Sequence, residues 1–333
     1  MRAVVIDRLL SEREVPLGLA VGEHPEPRVG PGELGVEVQA AGCNFSDLLI
    51  AQGRYQVKPA LPFVLGAELA GTVYEVGAGV EGFAPGDRVL AAPGTGAFAE
   101  RASIRAERAL RMPEKLDFAE GAAFQITYPT AYAALVDRCA LERAETLLIH
   151  AAAGGVGLAA VQIGAALGAR VIAAAGGAEK CAIALAHGAA HAIDCAQQDF
   201  VARVRELTQG RGADVIYDPV GGELTSRSLR CIAWKGRLVV IGFASGEIPK
   251  LELNRVLLKN IAVTGLHWSA YPEREPRRVA EIFDALFALR AEGRIRPLVS
   301  GRHALEEVAL ALSALASRRS HGKLVLEPQR AAR

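Results

Sequence analysis

Seven residues near the middle of the chain have the types and spacing that bind a dinucleotide. The segment 151–157 reads AAAGGVG and directly follows the apolar run TLLIHA, which predicts a β-strand. A dinucleotide loop needs a tight turn, a close approach of backbone to pyrophosphate, and a small residue where helix meets strand. Ala152, Gly154 and Gly157 take these places, and amide groups at the start of the following helix face the phosphates. The order strand, glycine loop, helix favours this interpretation over an ordinary glycine-rich turn.

The end of the next predicted strand bears on the choice between NAD and NADP. An NAD site has an Asp or Glu there that holds the ribose 2′-hydroxyl. This chain instead has Gly176 and Gly177, followed by Ala178, Glu179 and Lys180. The glycines leave room for a phosphate, and Lys180 can pair with it. We interpret Glu179 as a first-turn acid favoured by the helix dipole, with a ribose ligand as the alternative, and therefore predict NADPH as the coenzyme.

These residues must be positioned by strands that alternate with helices, which predicts a parallel, doubly wound sheet of the Rossmann type. The predicted strands are 146–151, 170–174, 191–194, 214–217, 237–241 and 261–266, and the intervening segments are 156–167, 179–187, 200–208 and 224–232. A further helix is predicted at 277–292 and a tail strand at 322–328. The N-terminal third has short alternating segments, 34–40, 71–76 and 87–91, separated by turn signals, which predicts a β-rich unit.

Composition excludes several classes of function. With 333 residues, 51% of them hydrophobic, the chain is expected to form two domains. A net charge of +1 without a long basic block argues against nucleic acid or an anionic membrane as a partner.

The 23 residues 147–169 lack Asp, Glu, Lys and Arg and are long enough to span a membrane. Five glycines, His150 and Gln162 favour a buried strand–turn–helix unit there instead.

Five cysteines, an odd number with no CxxC pair, argue against a disulfide framework and a structural zinc lobe. The N-terminal residues MRAVVIDRLL lack the apolar core of a signal peptide. We therefore expect a reducing, cytoplasmic location.

Motifs along nearly the whole chain resemble the zeta-crystallin-like quinone oxidoreductases of the medium-chain dehydrogenase/reductase superfamily. They are GCNFSD (42–47), LPFVLGAELAGTV (61–73), PGDRV (85–89), TAY (130–132), HAAAGGVGLAAVQIGAALGARVI (150–172), YDPVGG (217–222), GRLVVIGFASG (236–246) and HGKLVL (321–326). The resemblance implies an α/β fold with a Rossmann nucleotide domain, 118–295, and a discontinuous GroES-like catalytic domain, 1–117 with 296–333. It also implies a homodimer formed through the edge strand 260–267, since an exposed apolar edge invites pairing.

Zinc enzymes on the same scaffold have a Cys in a G-x-C-x-x-D segment, a His in a G-H-E segment and a later Cys. Here Asn44 and Ala67 stand in the first two places. A catalytic zinc needs about three protein ligands, and only Glu68 offers a weak one. The pair His187 and His191 is separated by a predicted change from helix to strand. We expect no metal.

The resemblance also implies roles for single residues. It implies that Asn44 and Asp47 line the nicotinamide cleft and that Tyr55 lies near it, so the expected catalytic residues are Asn44, Asp47 and Tyr55. Leu49 replaces a family tyrosine. Cys195 replaces a second tyrosine near the 2′-phosphate, and Arg318 matches an arginine that reaches that phosphate. The expected coenzyme contacts are Asn44, Thr130, Ala152, Gly154, Gly155, Val156, Gly157, Gly176, Gly177, Lys180, Cys195, Val220, Gly242, Phe243, Ser245 and Arg318.

Without zinc, no strong Lewis acid polarises the substrate, so the acceptor must be intrinsically electrophilic. A quinone or a similar carbonyl compound is the expected small-molecule partner. An enone or an enoyl thioester such as acryloyl-CoA is the alternative, and a non-catalytic NADPH-binding protein is a third. Asn44 and Tyr55 are expected to supply dipoles for developing oxyanion charge.

Overall fold

In the computed structural model, which describes residues 1–332, the chain forms two units. One consists of Met1–Ile126 together with the chain from Pro297 onward, and the other is Thr127–Arg296. The predicted limits of the functional domains stay a prediction.

The strands are β1 Arg2–Ile6, β2 Val21–Glu23, β3 Glu33–Gly42, β4 Phe63–Val64, β5 Leu69–Val76, β6 Arg88–Ala91, β7 Arg101–Arg105, β8 Ala109–Arg111, β9 Thr146–His150, β10 Arg170–Ala175, β11 His191–Asp194, β12 Ala213–Asp218, β13 Ile232–Val240, β14 Ala262–Gly265, β15 Val299–Ala304 and β16 Lys323–Glu327. The α-helices are α1 Phe45–Ala51, α2 Phe118–Phe124, α3 Thr127–Tyr132, α4 Gly155–Ala166, α5 Ala178–Ala186, α6 Phe200–Leu207, α7 Gly222–Ser228, α8 Leu253–Lys259, α9 Tyr271–Arg274, α10 Pro276–Ala291 and α11 Val308–Ala316. A π-helical segment, Ala133–Arg138, follows α3.

The second unit is built on a parallel sheet with strand order β11-β10-β9-β12-β13-β14. Its central strand, β9, is buried at every residue, as expected for a parallel strand covered on both faces. The order changes direction between β9 and β12, and open sheets of this kind bind ligands outside the carboxyl ends of the strands at that point. The predicted α/β fold with a Rossmann sheet is confirmed.

The first unit is β-rich, as predicted. Its larger sheet has the order β15-β16-β3-β5-β6-β8, with β7 also paired to β3, and β2-β1-β4 form a smaller sheet. The tail strand β16 runs antiparallel to β3, with Val325 opposite Gly42. This confirms the prediction that the tail returns to the N-terminal unit.

The prediction for β13 was wrong in where the strand begins. The strand starts at Ile232, five positions before the predicted Arg237, and its pairing with β12 is irregular near its start. Lys235 there has a φ of +60°, and Trp234 is 62% exposed. The exposed residues Trp234 and Lys235 interrupt the buried residues of the strand, so the sequence pattern indicated a strand only from Arg237 onward.

The charge-free stretch 147–169 divides into β9 and α4, as predicted. Within residues 1–332, no helix combines the length and apolar character that crossing a membrane requires.

Candidate active site

The chain turns sharply after β9. Ala151 has a φ of +48°, in the left-handed region, and its carbonyl oxygen accepts a 2.9 Å hydrogen bond from the amide of Gly154. The amide of Ala152 donates to the carbonyl oxygen of Ala174 in neighbouring β10 over 3.1 Å. A Cβ atom on Gly157 would lie 2.2 Å from the carbonyl oxygen of Ala151, so a side chain at this position would force the backbone to move.

Helix α4 begins directly at this turn. Its first residues, Gly155 and Val156, are half-buried, and its N-cap is Gly154, which has no side chain to occupy the first amide groups. Amides at a helix start carry partial positive charge and bind anions. The turn and the helix therefore fit a pyrophosphate group.

Beyond β10 the backbone is open. A Cβ atom on Gly176 or Gly177 would meet nothing within 4 Å. Gly177 has a φ of +92°, and its amide donates a 2.8 Å hydrogen bond to Oδ1 of Asp194 at the end of β11. The same oxygen accepts from the amide of Ala196 over 3.0 Å. Asp194 fixes this turn, and the sequence motif gave no sign of it because the residue belongs to a different strand.

Lys180 lies in the first turn of α5, beside the exposed Glu179. The side chain is half-buried, and burial lowers the pKa of its ammonium group, while Glu179 raises it. The last residue of β10 is Ala175, so the strand ends without a carboxylate. An anionic group placed next to Lys180 would favour its charged form, which fits a phosphate.

Two further predicted coenzyme segments, after β12 and after β13, contact each other. The buried Asp218 accepts hydrogen bonds at Oδ1 from the amides of Val220 (2.8 Å) and Gly221 (3.0 Å), and its Oδ2 accepts from the hydroxyl of Thr225. The amide of Ser245 donates to the carbonyl oxygen of Val220 over 2.9 Å. Asp218 therefore fixes the loop after β12, and the loop after β13 is hydrogen-bonded to it.

The ring of Phe243 packs closely against Gly221, a position that requires glycine. Gly221 has a φ of +74°, and a Cβ atom on it would lie 2.8 Å from Cδ1 of Phe243. Gly242, immediately before Phe243, is half-buried. Thr130 is buried in α3, next to α4. Within the second unit the structure thus arranges most of the predicted coenzyme residues around the carboxyl ends of the strands.

The remaining predicted residues are placed as follows. Cys195 follows β11 and is exposed, with its amide donating to the carbonyl oxygen of Ala175 over 2.8 Å. Tyr55 lies in the first unit and packs against its hydrophobic core. Arg318 also lies in the first unit, exposed just after α11 with a φ of +55°. Their functional roles stay predictions.

The first unit contains a buried ionic cluster that sequence reasoning missed, formed by Asn44, Glu68 and Lys323. The ammonium nitrogen of Lys323 lies 2.6 Å from Oε1 of Glu68 and 2.7 Å from Oδ1 of Asn44. Its third short contact is to the carbonyl oxygen of Cys43, at 2.8 Å. Glu68 is fully buried and Lys323 is 5% exposed. A charge pair this deeply buried is stable only when hydrogen bonds satisfy its remaining atoms.

Those hydrogen bonds are present. The amide nitrogen of the Asn44 side chain donates to Oε1 of Glu68 over 2.8 Å and to the carbonyl oxygen of Gly42 over 3.2 Å. The backbone amide of Ile126 donates to Oε2 of Glu68 over 2.8 Å. A Cβ atom on Gly42 would lie 2.6 Å from Oε1 of Glu68, so glycine is needed for this close approach.

Strand pairing explains how residues so distant in sequence meet. Gly42 ends β3, and its amide donates to the carbonyl oxygen of Glu68, immediately before β5. On the other side of β3, the amide of Cys43 donates to the carbonyl oxygen of Leu324 in β16. The ends of three adjacent strands therefore place Asn44, Glu68 and Lys323 together.

Asp47 lies beside the cluster in α1. Its Oδ2 accepts a 2.7 Å hydrogen bond from the backbone amide of Asn44. Burial raises the pKa of Asp47 to about 7; the Asn44 amide and the Lys323 ammonium lower it, and Glu68 raises it. The Lys323 ammonium therefore contacts Glu68 directly and acts on Asp47 through its charge.

The ligand places of the zinc enzymes hold other chemistry here. Asn44 and Ala67 offer neither a thiolate nor an imidazole, and both oxygens of Glu68 are already engaged by Lys323, Asn44 and Ile126. Among residues 1–332 no group of three or more His, Cys, Asp or Glu side chains is arranged to hold a metal ion. These residues do not fit a catalytic zinc.

Two known families match this chain. Residues 30–114 match the alcohol dehydrogenase GroES-like domain, and residues 155–285 match the family described as zinc-binding dehydrogenase. The second match lies within the unit that contains the parallel sheet, whereas Asn44 and Ala67 lie in the first match.

Curated relatives and a solved structure extend the match to nearly the whole chain. The quinone oxidoreductase-like protein 2 homolog of Nematostella vectensis is 39% identical over 90% of this chain and 82% of its own length. The quinone oxidoreductase of Pseudomonas aeruginosa is 39% identical over 90% of this chain and 92% of its own. The crystal structure of Escherichia coli quinone oxidoreductase complexed with NADPH has a TM-score of 0.91 at 33% identity, covering 98% and 100% of the two chains. The chain therefore belongs to the quinone oxidoreductase family of medium-chain dehydrogenases/reductases.

Proposed function

We propose that the protein is an NADPH-dependent quinone reductase that works without a metal ion. The observation that carries the proposal is the end of β10, where Gly176 and Gly177 leave open space next to Lys180 and the strand ends without a carboxylate. This combination favours a ribose phosphate over a free 2′-hydroxyl. When bound, the coenzyme supplies a hydride; with one proton from solvent, this reduces a quinone to its hydroquinone by two electrons.

The residues at the zinc ligand places support an electrophilic acceptor. Asn44 and Ala67 cannot form a Lewis-acid centre, and Glu68 is bonded to Lys323. The substrate must then accept the hydride without a metal to polarise it, and a quinone does so. The protein's contribution is to hold the reactants in position and to exclude water.

We propose that Asn44, Asp47 and Tyr55 act on the reaction, with Asn44 supplying a fixed dipole. Its amide nitrogen donates to Glu68 and to Gly42, and its oxygen accepts from Lys323. A dipole held this way needs no reorganisation when charge develops on a substrate. Cys195, which belongs to the same unit as Lys180, is proposed to line the 2′-phosphate site. The phosphate contact of Arg318 stays a prediction.

A panel of acceptors tests this proposal. NADPH oxidation is measured with 9,10-phenanthrenequinone, with a simple enone and with acryloyl-CoA. We expect the largest kcat/KM with the quinone. A larger kcat/KM with the enone or the thioester would identify an alkene reductase, and no turnover with any acceptor would identify an NADPH-binding protein without this activity.

Metal independence is tested by chelation. We expect full quinone reductase activity after dialysis against EDTA or phenanthroline. Stoichiometric zinc in the purified protein, together with loss of activity when it is removed, would contradict the proposal.

We also propose a homodimer formed through β14, the edge strand of the parallel sheet. The preceding helix α8 carries three strongly exposed side chains, Leu253, Leu257 and Leu258, each more than 70% exposed. Apolar groups next to an open sheet edge are typical of a covered surface. Light scattering at micromolar protein should give the mass of a dimer, and a monomer mass would remove this proposal. The expected cytoplasmic location stays a prediction.

A further inference from the structure

We propose that Lys323 is a positioning residue for the reaction: its ammonium group, together with Glu68, fixes the orientation of the Asn44 side-chain amide. The inference rests on the proposed function, in which Asn44 acts as a dipole.

The chemistry of the two neighbours determines the orientation of Asn44. A side-chain amide has a donor end and an acceptor end of nearly equal shape. An ammonium group only donates, so the amide oxygen must face Lys323, 2.7 Å away. An ionised carboxylate only accepts, so the amide nitrogen must face Glu68, 2.8 Å away. Without this pair, the longer hydrogen bond from the amide nitrogen to the carbonyl oxygen of Gly42, at 3.2 Å, would be left to favour this orientation.

Lys323 is not placed to act on a substrate itself. Its three hydrogens match its three acceptors, which are the Cys43 carbonyl, Asn44 Oδ1 and Glu68 Oε1. A buried charge pair adds little net stability compared with apolar side chains of similar size. An orienting role gives a functional reason for keeping this pair buried in the first unit.

The kinetic test uses three variants. Lys323→Met removes the cation, Lys323→Arg keeps a donor-only cation, and the double variant Lys323→Met with Glu68→Gln removes both charges so that no unpaired carboxylate stays buried. Arg302→Met is the matched control, since it breaks the ion pairs of the more exposed Arg302 with Glu327 and Asp117. We expect kcat to fall about 10²-fold in Lys323→Met and in the double variant, as for a catalytic group misplaced by about 1 Å.

Coenzyme binding separates positioning from general damage. The turn at Ala151–Gly157, called the coenzyme turn below, and Lys180 lie in the second unit, whereas Asn44 is one predicted coenzyme contact among many. The Kd for NADPH, measured by fluorescence, should therefore change far less than kcat in every variant. Lys323→Arg should recover part of the lost kcat, and Arg302→Met should keep native kinetics. If Lys323→Met does not fold, the double variant alone decides. A folded double variant with native kcat would overturn the proposal, because Lys323 would then be only structural.

A second readout does not depend on turnover. The ionisable groups around Asp47 are Cys43, Glu68 and Lys323. The Lys323 ammonium lowers the pKa of Asp47 and the Glu68 carboxylate raises it. In ¹³C NMR of aspartate-labelled protein, assigned with Asp47→Asn, the pKa of Asp47 should therefore rise in Lys323→Met and fall in Glu68→Gln. Shifts in the same direction, or none, would show that the cluster is not the ionic network argued here.

Failure of the proposed function is recognised separately. It would appear in the native protein, as preferred turnover of an acceptor other than a quinone or as no turnover. The kinetic test is then run with the acceptor that the native protein uses. If there is none, the NMR titration decides whether the pair exists, and its failure overturns the proposal.

Discussion

The coenzyme turn and the Asn44 cluster stabilise charge by opposite means. In the second unit, the turn at Ala151–Gly157 offers backbone amides and space, with Lys180 half-buried nearby. In the first unit, the charges of Glu68 and Lys323 belong to fully or nearly fully buried side chains that satisfy each other. The turn at Ala151–Gly157 is therefore suited to bind an anion. The charges of the Asn44 cluster already neutralise each other, and they keep neighbouring dipoles in place.

Stability should show the difference most strongly. Lys323→Met leaves the carboxylate of Glu68 buried without its cation, and breaking a buried pair in this way costs about 3–5 kcal/mol. Urea unfolding should give a loss of that size. The exposed pair of Arg255 and Glu252, 2.7 Å apart, provides the control, because Arg255→Met should cost at most about 1 kcal/mol. Equal losses in the two variants would show that Lys323 is not buried with Glu68 as described.

The coenzyme turn should be disrupted by an added side-chain atom, without any change of charge. Gly157→Ala places a Cβ atom 2.2 Å from the carbonyl oxygen of Ala151, and overpacking of this kind costs about 1–3 kcal/mol. NADPH affinity should fall with stability because the turn must shift. Gly22→Ala, where a Cβ atom meets nothing within 4 Å, should stay within about 0.5 kcal/mol of the native protein. Native affinity in Gly157→Ala would contradict the geometry of the turn.

The pH dependence of stability sharpens the comparison further. Burial raises the pKa of Asp47 to about 7, well above the value of about 3.9 in an unfolded chain. The folded state therefore keeps a proton that the unfolded state loses, and stability should decrease as pH rises from about 4 to about 7. The decrease attributable to Asp47 is up to about 1.4 kcal/mol per pH unit. Asp47→Asn should remove this contribution, and an unchanged slope in that variant would locate the titration elsewhere.

Sequence predicted the second unit well because its signals are local. Alternating strands and helices, and a glycine loop that follows a strand directly, lie within short stretches, and the strands from β9 to β12 begin and end close to the predicted residues. The short strands β1, β2 and β4 were missed, since their two to five residues carry little periodicity. The edge position of β14 was predicted correctly.

The Asn44 cluster could not be predicted from local sequence patterns. Lys323 contacts Glu68 across 255 residues of sequence, and the tail motif HGKLVL indicated only a terminal strand. In the sequence, Glu68 was counted only as a weak metal ligand, and its pairing with Lys323 was not predicted. What was missing is the pairing of β16 and β5 on either side of β3, which brings the two charges together. Asp194 was missed for the same reason, since its contact with Gly177 joins two different strands.

The preference for NADPH over NADH, measured as the ratio of kcat/KM values in the native protein and in Lys180→Ala, tests the central claim most directly. A charge-assisted contact between Lys180 and a phosphate contributes about 1.5–3 kcal/mol, which corresponds to roughly 10–100-fold in binding. The native protein should prefer NADPH, and Lys180→Ala should lose about 10–100-fold of that preference, whereas Lys115→Ala, at an exposed lysine of the first unit, should keep it. Equal use of NADH by the native protein, or an unchanged ratio in Lys180→Ala, would contradict the account and direct attention to Glu179 as a ribose ligand.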